Sequence, residues 1–93
     1  MLDRDEIRKN LEDWMGNPFW AEYYNGAPSE KCREFVAMEL YYSETENEEA
    51  GEAMDAVEAV LEIPDLRWLM DHCGNNPRKK FLHDRIEALG GAG

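Results

Sequence analysis

The sequence predicts an all-α protein: a compact single-domain bundle of five to six short helices around a central apolar helix at about residues 29–43. Residues that begin and end helices recur along the chain, and the apolar residues between them repeat with helical spacing. No segment alternates between apolar and polar residues as a half-buried strand does. With 93 residues, 43% of them hydrophobic, the chain is long enough for one core. We therefore expect one helical domain over residues 1–89 and a flexible Gly-rich tail over 90–93.

Capping residues predict the first two helices. Asp3, followed three residues later by a glutamate, is typical of a capping box, and the apolar stripe after it predicts a helix near residues 4–15. Asn17 and Pro18 supply an N-cap and a first helical residue for a second helix near 18–25. That helix carries four aromatic residues, and we expect it to cover the core as a lid.

The third helix, near residues 29–43, is predicted to be the central one. Ser29 is its candidate N-cap. A helix that is apolar around most of its circumference is buried, so we place this one in the middle of the bundle. The residues that make it apolar are Cys32, Phe35, Val36, Met38, Leu40, Tyr41 and Tyr42.

The second half of the chain predicts three further helices, near residues 47–62, 65–73 and 77–89. Three polar residues between 43 and 47 are alternative N-caps for the first of these, and Pro64 is expected to end it. The sequence leaves open whether the third and fourth helices are joined by a turn or run on as one kinked rod.

Charge is segregated along the chain. The 21 acidic and 10 basic side chains give a formal net charge of −11, and residues 44–66 carry nine acidic side chains and no basic one. Two interpretations remain open: this segment keeps the protein dispersed, or it binds a basic surface on a partner or on another protomer. Five of the acids fall within about 120° on one face of the predicted fourth helix: Glu48, Glu52, Asp55, Glu58 and Glu62.

One acidic residue is predicted inside the core. Glu39 projects into the apolar surface of the third helix, where a lone carboxylate is costly. Arg78 and Arg85 project onto the core-facing side of the last helix. We expect a buried structural ion pair between Glu39 and one of these arginines, with Arg85 preferred over Arg78.

Three aromatic residues are candidates for contact with a partner. Trp68 projects away from the apolar stripe of its own helix, so it is either an exposed anchor for a partner or covered by a neighbouring helix. The chain also contains two pairs of adjacent tyrosines, and adjacent residues on a helix cannot both face one core. One tyrosine of each pair is therefore expected at the surface, and Tyr24 and Tyr41 are the candidates.

The sequence assigns no catalytic residue, no metal and no cofactor. Its two histidines and two cysteines lack the spacing of a zinc site, and it has no phosphate-binding glycine loop and no EF-hand order of acids. No leader-like segment and no apolar run of membrane-spanning length is present. We therefore expect a cytoplasmic protein with reduced thiols and no contact with a membrane.

These observations favour a small, acidic, non-enzymatic protein-interaction or regulatory module with a protein partner, and self-association is compatible with them. Direct binding of nucleic acid is not expected, because the net charge repels phosphate. The alternative is an acidic decoy that imitates the charge of nucleic acid and occupies a basic cleft of a DNA- or RNA-binding protein.

Overall fold

The computed structural model describes residues 2–90, and within that range the chain forms six α-helices and no β-strand. The predicted all-α class is thereby confirmed. The helices fall into two compact units, which divide after Val60. The first unit contains α1 (Arg4–Met15), α2 (Pro18–Asn25), α3 (Glu30–Thr45) and α4 (Glu48–Glu58), and the second contains α5 (Ile63–Asp71) and α6 (Asn76–Ala88).

The single helical domain over residues 1–89 stays a prediction, because each of the two units is compact by itself. Of the expected tail at 90–93, Gly90 has a left-handed φ of 85°, and residues 91–93 lie outside the described range.

The predicted capping residues begin the helices. Asp3 Oδ1 accepts a hydrogen bond from the backbone N–H of Asp5 at 2.9 Å, and Asn17 Oδ1 accepts one from Phe19 N–H at 2.9 Å. Each satisfies a donor that has no acceptor inside its helix. The same role is filled in α3 and α4 by the side chains of Ser29 and Asn47. The last helix is capped by Asn75 and begins at Asn76, one residue before the predicted start near residue 77.

A turn joins α3 to α4, which decides between the two alternatives that the sequence left open. Glu46 adopts the left-handed conformation, with φ 53° and ψ 27°, and its N–H donates to Tyr42 O at 2.7 Å. A left-handed residue ends a helix by satisfying one of its last carbonyls. Asn47 follows at once as the N-cap of α4, so the chain reverses within two residues.

The boundary between the fourth and fifth helices differs from the prediction. The fourth helix ends at Glu58 rather than near residue 62, and α5 begins at Ile63 rather than at 65. Pro64 does not exclude α5 from starting earlier, because a proline in the first turn lacks an N–H that would have had no acceptor there. Asp65 Oδ2 accepts a hydrogen bond from the backbone N–H of Glu62 at 3.1 Å and so fixes that first turn.

The core of the first unit surrounds α3, which packs against α1, α2 and α4. The expected central role of this helix is confirmed within its unit. Gly51 of α4 lies close to the ring of Tyr42, and a Cβ at that position would be 2.9 Å from Tyr42 Cε2. A glycine therefore lets the two helices approach here. The buried residues of α3 are Cys32, Phe35, Val36, Ala37, Met38, Leu40 and Tyr41.

The second unit is a pair of helices with a smaller core. Leu66 of α5 and Leu82 of α6 are almost fully buried, and Leu69 and Ile86 are buried beside them in their respective helices. These are the apolar stripes that helical spacing predicts. Helical spacing also places Leu89 on this side of the last helix, but Leu89 follows the end of α6 at Ala88 and is exposed.

Within residues 2–90, no helix combines the length and the apolar character that crossing a bilayer requires.

Candidate functional site

The most distinctive surface of the first unit is a run of exposed carboxylates. It extends from the last turn of α3 through α4, and no lysine or arginine occurs between Arg33 and Arg67. Two of its members lie in the first turn of α4, where the helix dipole favours negative charge. We name this set the acidic surface; its members are Glu44, Glu46, Glu48, Glu49, Glu52 and Asp55.

Most of these carboxylates have no cation beside them. The side chains of Glu46, Glu48, Glu52 and Asp55 form no ion pair with any other residue between 2 and 90. Glu44 is held by an amide, since Asn10 Nδ2 donates to Glu44 Oε2 at 3.0 Å. The acidic surface therefore presents its charge to solvent.

Two members of the predicted five-residue acidic stripe do not belong to this surface. Glu58 is only 6% exposed, so its side chain is buried and is not part of the surface. Glu62 is exposed, but it is the N-cap of α5 and belongs to the second unit. The prediction extended one ideal helix to residue 62, and a helical projection gives the direction of a side chain without showing what packs there. The part of the predicted stripe that is exposed on α4 is thus Glu48, Glu52 and Asp55.

An aromatic cluster lies where α1 meets α2. The ring of Trp20 makes edge-to-face contacts with Trp14, Phe19 and Tyr23, at centroid distances of 4.9, 5.0 and 6.1 Å. Edge-to-face contacts join the positive edge of one ring to the negative face of another and fix the rings in place. Phe19 is nevertheless 67% exposed, so the lid predicted for α2 leaves one large ring at the surface.

A recess with a volume of about 330 Å³ opens beside this cluster. Its walls are Trp14 and Trp20, the carboxylates of Asp13 and Glu44, and Asn17. Indole faces and carboxylates both attract a cation, and the guanidinium of arginine can stack on such rings. We name this the acidic recess; through Glu44 it is continuous with the acidic surface.

Trp14, which lines the acidic recess, has an unsatisfied donor. Trp14 Nε1 is buried and has no hydrogen-bond acceptor within the described range. A buried N–H without an acceptor is destabilising by about 1–3 kcal/mol.

Sequence reasoning missed this recess. Asp13, Trp14 and Trp20 are close in sequence, but Glu44 comes from another helix, and only the packing of α1 against α3 brings it near. The local signal was an acidic residue next to a tryptophan at the end of α1, which is too common to single out a site.

The structure places the two candidate tyrosines differently from the prediction. Tyr41 is 5% exposed, and its hydroxyl donates to Glu6 Oε2 at 3.2 Å, so it has little surface to offer a partner. Burial, followed by the hydrogen bond to Glu6, raises the pKa of Tyr41 above its ordinary value of 10.0. Tyr42 is the exposed member of that pair. Tyr24 is half-buried at the end of α2.

Trp68 is neither fully exposed, as an anchor for a partner would be, nor fully covered by a neighbouring helix. It is half-buried in α5, and its ring lies 4.5 Å from the ring of His72 one turn later. His72 Nδ1 is 2.8 Å from the carbonyl oxygen of Trp68, which holds the two residues together. Trp68 belongs to the second unit and thus not to the acidic surface.

Glu39, the acidic member of the predicted core ion pair, accepts a hydrogen bond from a tyrosine. Tyr23 OH donates to Glu39 Oε1 at 3.3 Å, and Glu39 is half-buried. Arg78 and Arg85 are both half-buried in α6, and the guanidinium of Arg78 lies 5.3 Å from the centre of the Phe81 ring. The Glu39–Arg85 pair joins residues of two different units and stays a prediction.

One group of side chains on α6 has the ligand types of a metal site. Ligand atoms of His83, Asp84 and Glu87 lie within 4.8 Å of one another, and all three residues are exposed. Lys80 Nζ lies 3.0 Å from Asp84 Oδ2, and the pKa of Asp84 is lowered chiefly by that hydrogen bond. The ammonium group already neutralises this carboxylate, so the group is a poor match for a divalent cation. Cys32 and Cys73 are both free thiols.

A scan against models of protein families, a search of curated proteins and a search of solved structures each found no significant match to this chain.

Proposed function

We propose that this chain is a small, non-enzymatic protein-interaction module whose acidic surface binds a basic surface of a protein partner. The observation that carries the proposal is the run of exposed carboxylates from Glu44 to Asp55, four of which form no ion pair with any other residue between 2 and 90. Like charges at helical spacing repel one another by about 0.2–0.5 kcal/mol per pair. A basic partner would replace that repulsion with attraction, and long-range attraction also speeds association.

The acidic recess supports a basic partner more specifically than charge alone does. A charged surface attracts any cation, but a recess walled by Trp14 and Trp20 beside two carboxylates selects a side chain of particular shape. Tryptophan and arginine are also enriched among the residues that dominate binding energy at interfaces. We infer that an arginine or lysine of the partner enters the recess while further basic residues pair with α4.

Two features of the sequence prediction remain parts of this proposal. The module is expected to act in the cytoplasm, and it is expected to have no catalytic activity. Self-association through the acidic surface is disfavoured, because two copies of that surface repel each other. A homo-oligomer would therefore use another part of the molecule.

A decoy of nucleic acid is the less supported candidate. Burial of Glu58 and the early end of α4 leave three exposed acids of the predicted stripe on that helix. Imitation of phosphates needs only negative charge, so it gives no role to the two indoles of the acidic recess. The two candidates differ in one outcome: a partner captured by a decoy is released by duplex DNA, whereas the partner of an interaction module is released only if its basic surface also binds DNA.

The proposal is tested by titrating the full chain with an arginine-rich peptide and following its backbone and indole resonances by NMR. One variant neutralises the acidic surface, with Glu48→Gln, Glu52→Gln and Asp55→Asn. A matched control removes the same charge from exposed acids elsewhere, with Glu12→Gln, Glu22→Gln and Asp71→Asn.

We expect the peptide to shift resonances of α4 and of the Trp14 and Trp20 indoles. If three exposed ion pairs contribute about 0.5 kcal/mol each, the surface variant binds about tenfold more weakly. The control should lose much less affinity. Equal losses in the two variants, or shifts spread evenly over the molecule, would mean that net charge alone attracts the peptide, and the proposal would then be abandoned.

A further inference from the structure

The basic residues of the first unit are gathered around one groove. Residues 1–60 contain five basic side chains against sixteen acidic ones. Four of the five line a groove of about 330 Å³ between α1 and α3: Arg4, Arg8, Lys31 and Arg33. Lys9 is the fifth, and it does not line the groove. The more acidic of the two units thus contains a site that is lined mainly by basic side chains.

We propose that this groove binds a small amphipathic carboxylate, meaning a single carboxylate group on a short apolar chain. The proposal rests on different residues from the proposed protein-interaction function, because the groove and the acidic surface have no residue in common.

Three of the four cations of the groove are available to a ligand. Arg4 and Lys31 form no ion pair with any other residue in the described part of the chain. Arg8 is paired only with Asp5, at 3.6 Å between highly exposed side chains, and such pairs contribute little. Arg33 is engaged more firmly, since its guanidinium lies 2.7 Å from Glu30 Oε1 and also donates to the carbonyl of Ala27.

Two carboxylates also line the groove and must be counted against an anionic ligand. Glu30 is neutralised by Arg33 at 2.7 Å, and Glu34 is exposed. With four cations and two acids, the lining retains a positive excess. The rest of the chain is strongly negative, so the groove suits a monoanion better than a polyanion such as nucleic acid, which would be repelled as a whole.

The floor of the groove is apolar. Ile7, Ala37 and Met38 are buried, and Leu11 is half-buried beside them. An inorganic anion would gain nothing from these side chains, whereas burial of each CH₂ group of an apolar ligand is favourable. The floor therefore argues for a ligand with a hydrocarbon part.

A hydroxyl group completes the lining. Tyr24 is half-buried on the groove wall, and its hydroxyl has no hydrogen-bond partner within residues 2–90. A tyrosine O–H can donate to a carboxylate, and the planar guanidinium of arginine can bind both carboxylate oxygens at once. The groove volume is near the lower end of small-molecule sites, which begin at roughly 300 Å³, so the apolar chain must be short.

The test is a titration of the full chain with octanoate, followed by NMR and by calorimetry. Octanoate should bind saturably and shift resonances of α1, of the first turns of α3 and of Tyr24. 1-Octanol, which has the same chain without the charge, and acetate, which has the charge without the chain, should each bind at least about tenfold more weakly. Equal binding of octanoate and 1-octanol, or no saturable binding of octanoate, overturns the proposal.

Variants localise the effect. Arg4→Gln combined with Lys31→Gln should weaken octanoate binding about tenfold. Lys9→Gln on the same helix should leave the affinity unchanged, and a loss as large as that of the double variant would refute the groove as the site. Arg4, Lys31 and Lys9 are all exposed, so the variants are expected to fold, which circular dichroism checks. The variant with a neutralised acidic surface should bind octanoate as the unaltered chain does, which separates failure of this proposal from failure of the proposed function.

Discussion

The two units are built by the same local rules and differ in charge. Residues 1–60 carry sixteen acidic and five basic side chains, whereas residues 61–93 carry five of each. Asn17 begins a helix in the first unit as Asn75 does in the second, with a side-chain oxygen that accepts a backbone N–H. Since the balanced unit forms helices as readily as the acidic one, the excess of acid is not required for the fold. It is a surface property, and arguments from net charge concern association and solubility.

The units also differ in the size of their cores. The first buries a large part of α3, with Phe35 only 1% exposed, whereas the core of the second depends on a few leucines such as Leu66 and Leu82. The difference indicates where a single substitution is most damaging.

The largest effect is expected from Phe35→Ala in the first unit. Truncation of a buried phenylalanine costs about 3–5 kcal/mol, a large share of the 5–15 kcal/mol that stabilises a typical domain. Native-state hydrogen exchange should detect loss of protection in the amides of α3. Leu82→Ala serves as the counterpart and should cost about 2–5 kcal/mol, with loss of protection in α6. Unchanged protection of α3 in the Phe35 variant would contradict the assigned core.

The next comparison uses one residue type in two environments. Asp65 of the second unit is 4% exposed and accepts the backbone N–H of Glu62, whereas Asp55 of the first unit is exposed. Asp65→Ala removes a buried acceptor and leaves its donor unsatisfied. The substitution should therefore lower the free energy of unfolding by about 1–3 kcal/mol. Asp55→Ala should stay within about 0.5 kcal/mol of the unaltered chain. Urea denaturation measures the free energy of unfolding of both variants. Equal losses would contradict the difference in environment between Asp65 and Asp55.

Alkaline pH should weaken the first unit through Tyr41. Burial and Glu6 raise the pKa of this phenol above 10.0, so the folded state holds the proton more tightly than the unfolded state. The stabilisation is fully present below the ordinary pKa and is lost as pH rises through the raised pKa. Denaturation midpoints of the unaltered chain should therefore fall above about pH 10, and the fall should be smaller in Tyr41→Phe. An identical decline in both proteins would remove Tyr41 as the cause.

The smallest effects should have opposite signs in the two units. Glu52 lies within helical spacing of Glu48 and Asp55, so Glu52→Gln should stabilise by about 0.2–0.5 kcal/mol per repulsive pair removed. In the second unit Asp84 is 3.0 Å from Lys80, so Asp84→Asn should destabilise slightly. The pKa of Asp84 is lowered by Lys80, so this contribution is lost as pH falls through the lowered pKa. The melting temperatures of the two variants at low ionic strength measure these changes in stability. Added salt should diminish both changes.

Local chemistry explains which features the sequence could predict. Asn17 caps a helix just before a proline, and apolar residues such as Phe35 and Leu40 on different sides of α3 identify a buried helix, so neither prediction depends on the rest of the fold. Burial of Glu58 depends on tertiary packing, which a helical projection does not contain.

The acidic recess and the groove between α1 and α3 were not predicted, for a related reason. Glu44 lies beside Trp14 at the recess, and Arg4 and Lys31 line one groove, only because α1 packs against α3. Residues distant in sequence become neighbours through that contact, and no local pattern specifies it.

The central claim is that the acidic surface binds a basic protein partner. Affinity capture from a native lysate, quantified by mass spectrometry, tests it most directly when three baits are compared: the unaltered chain, the variant with a neutralised acidic surface, and the charge-matched control. We predict that a basic protein is recovered with the unaltered chain and with the control, and is lost with the surface variant. Recovery of the same proteins with all three baits would contradict the claim.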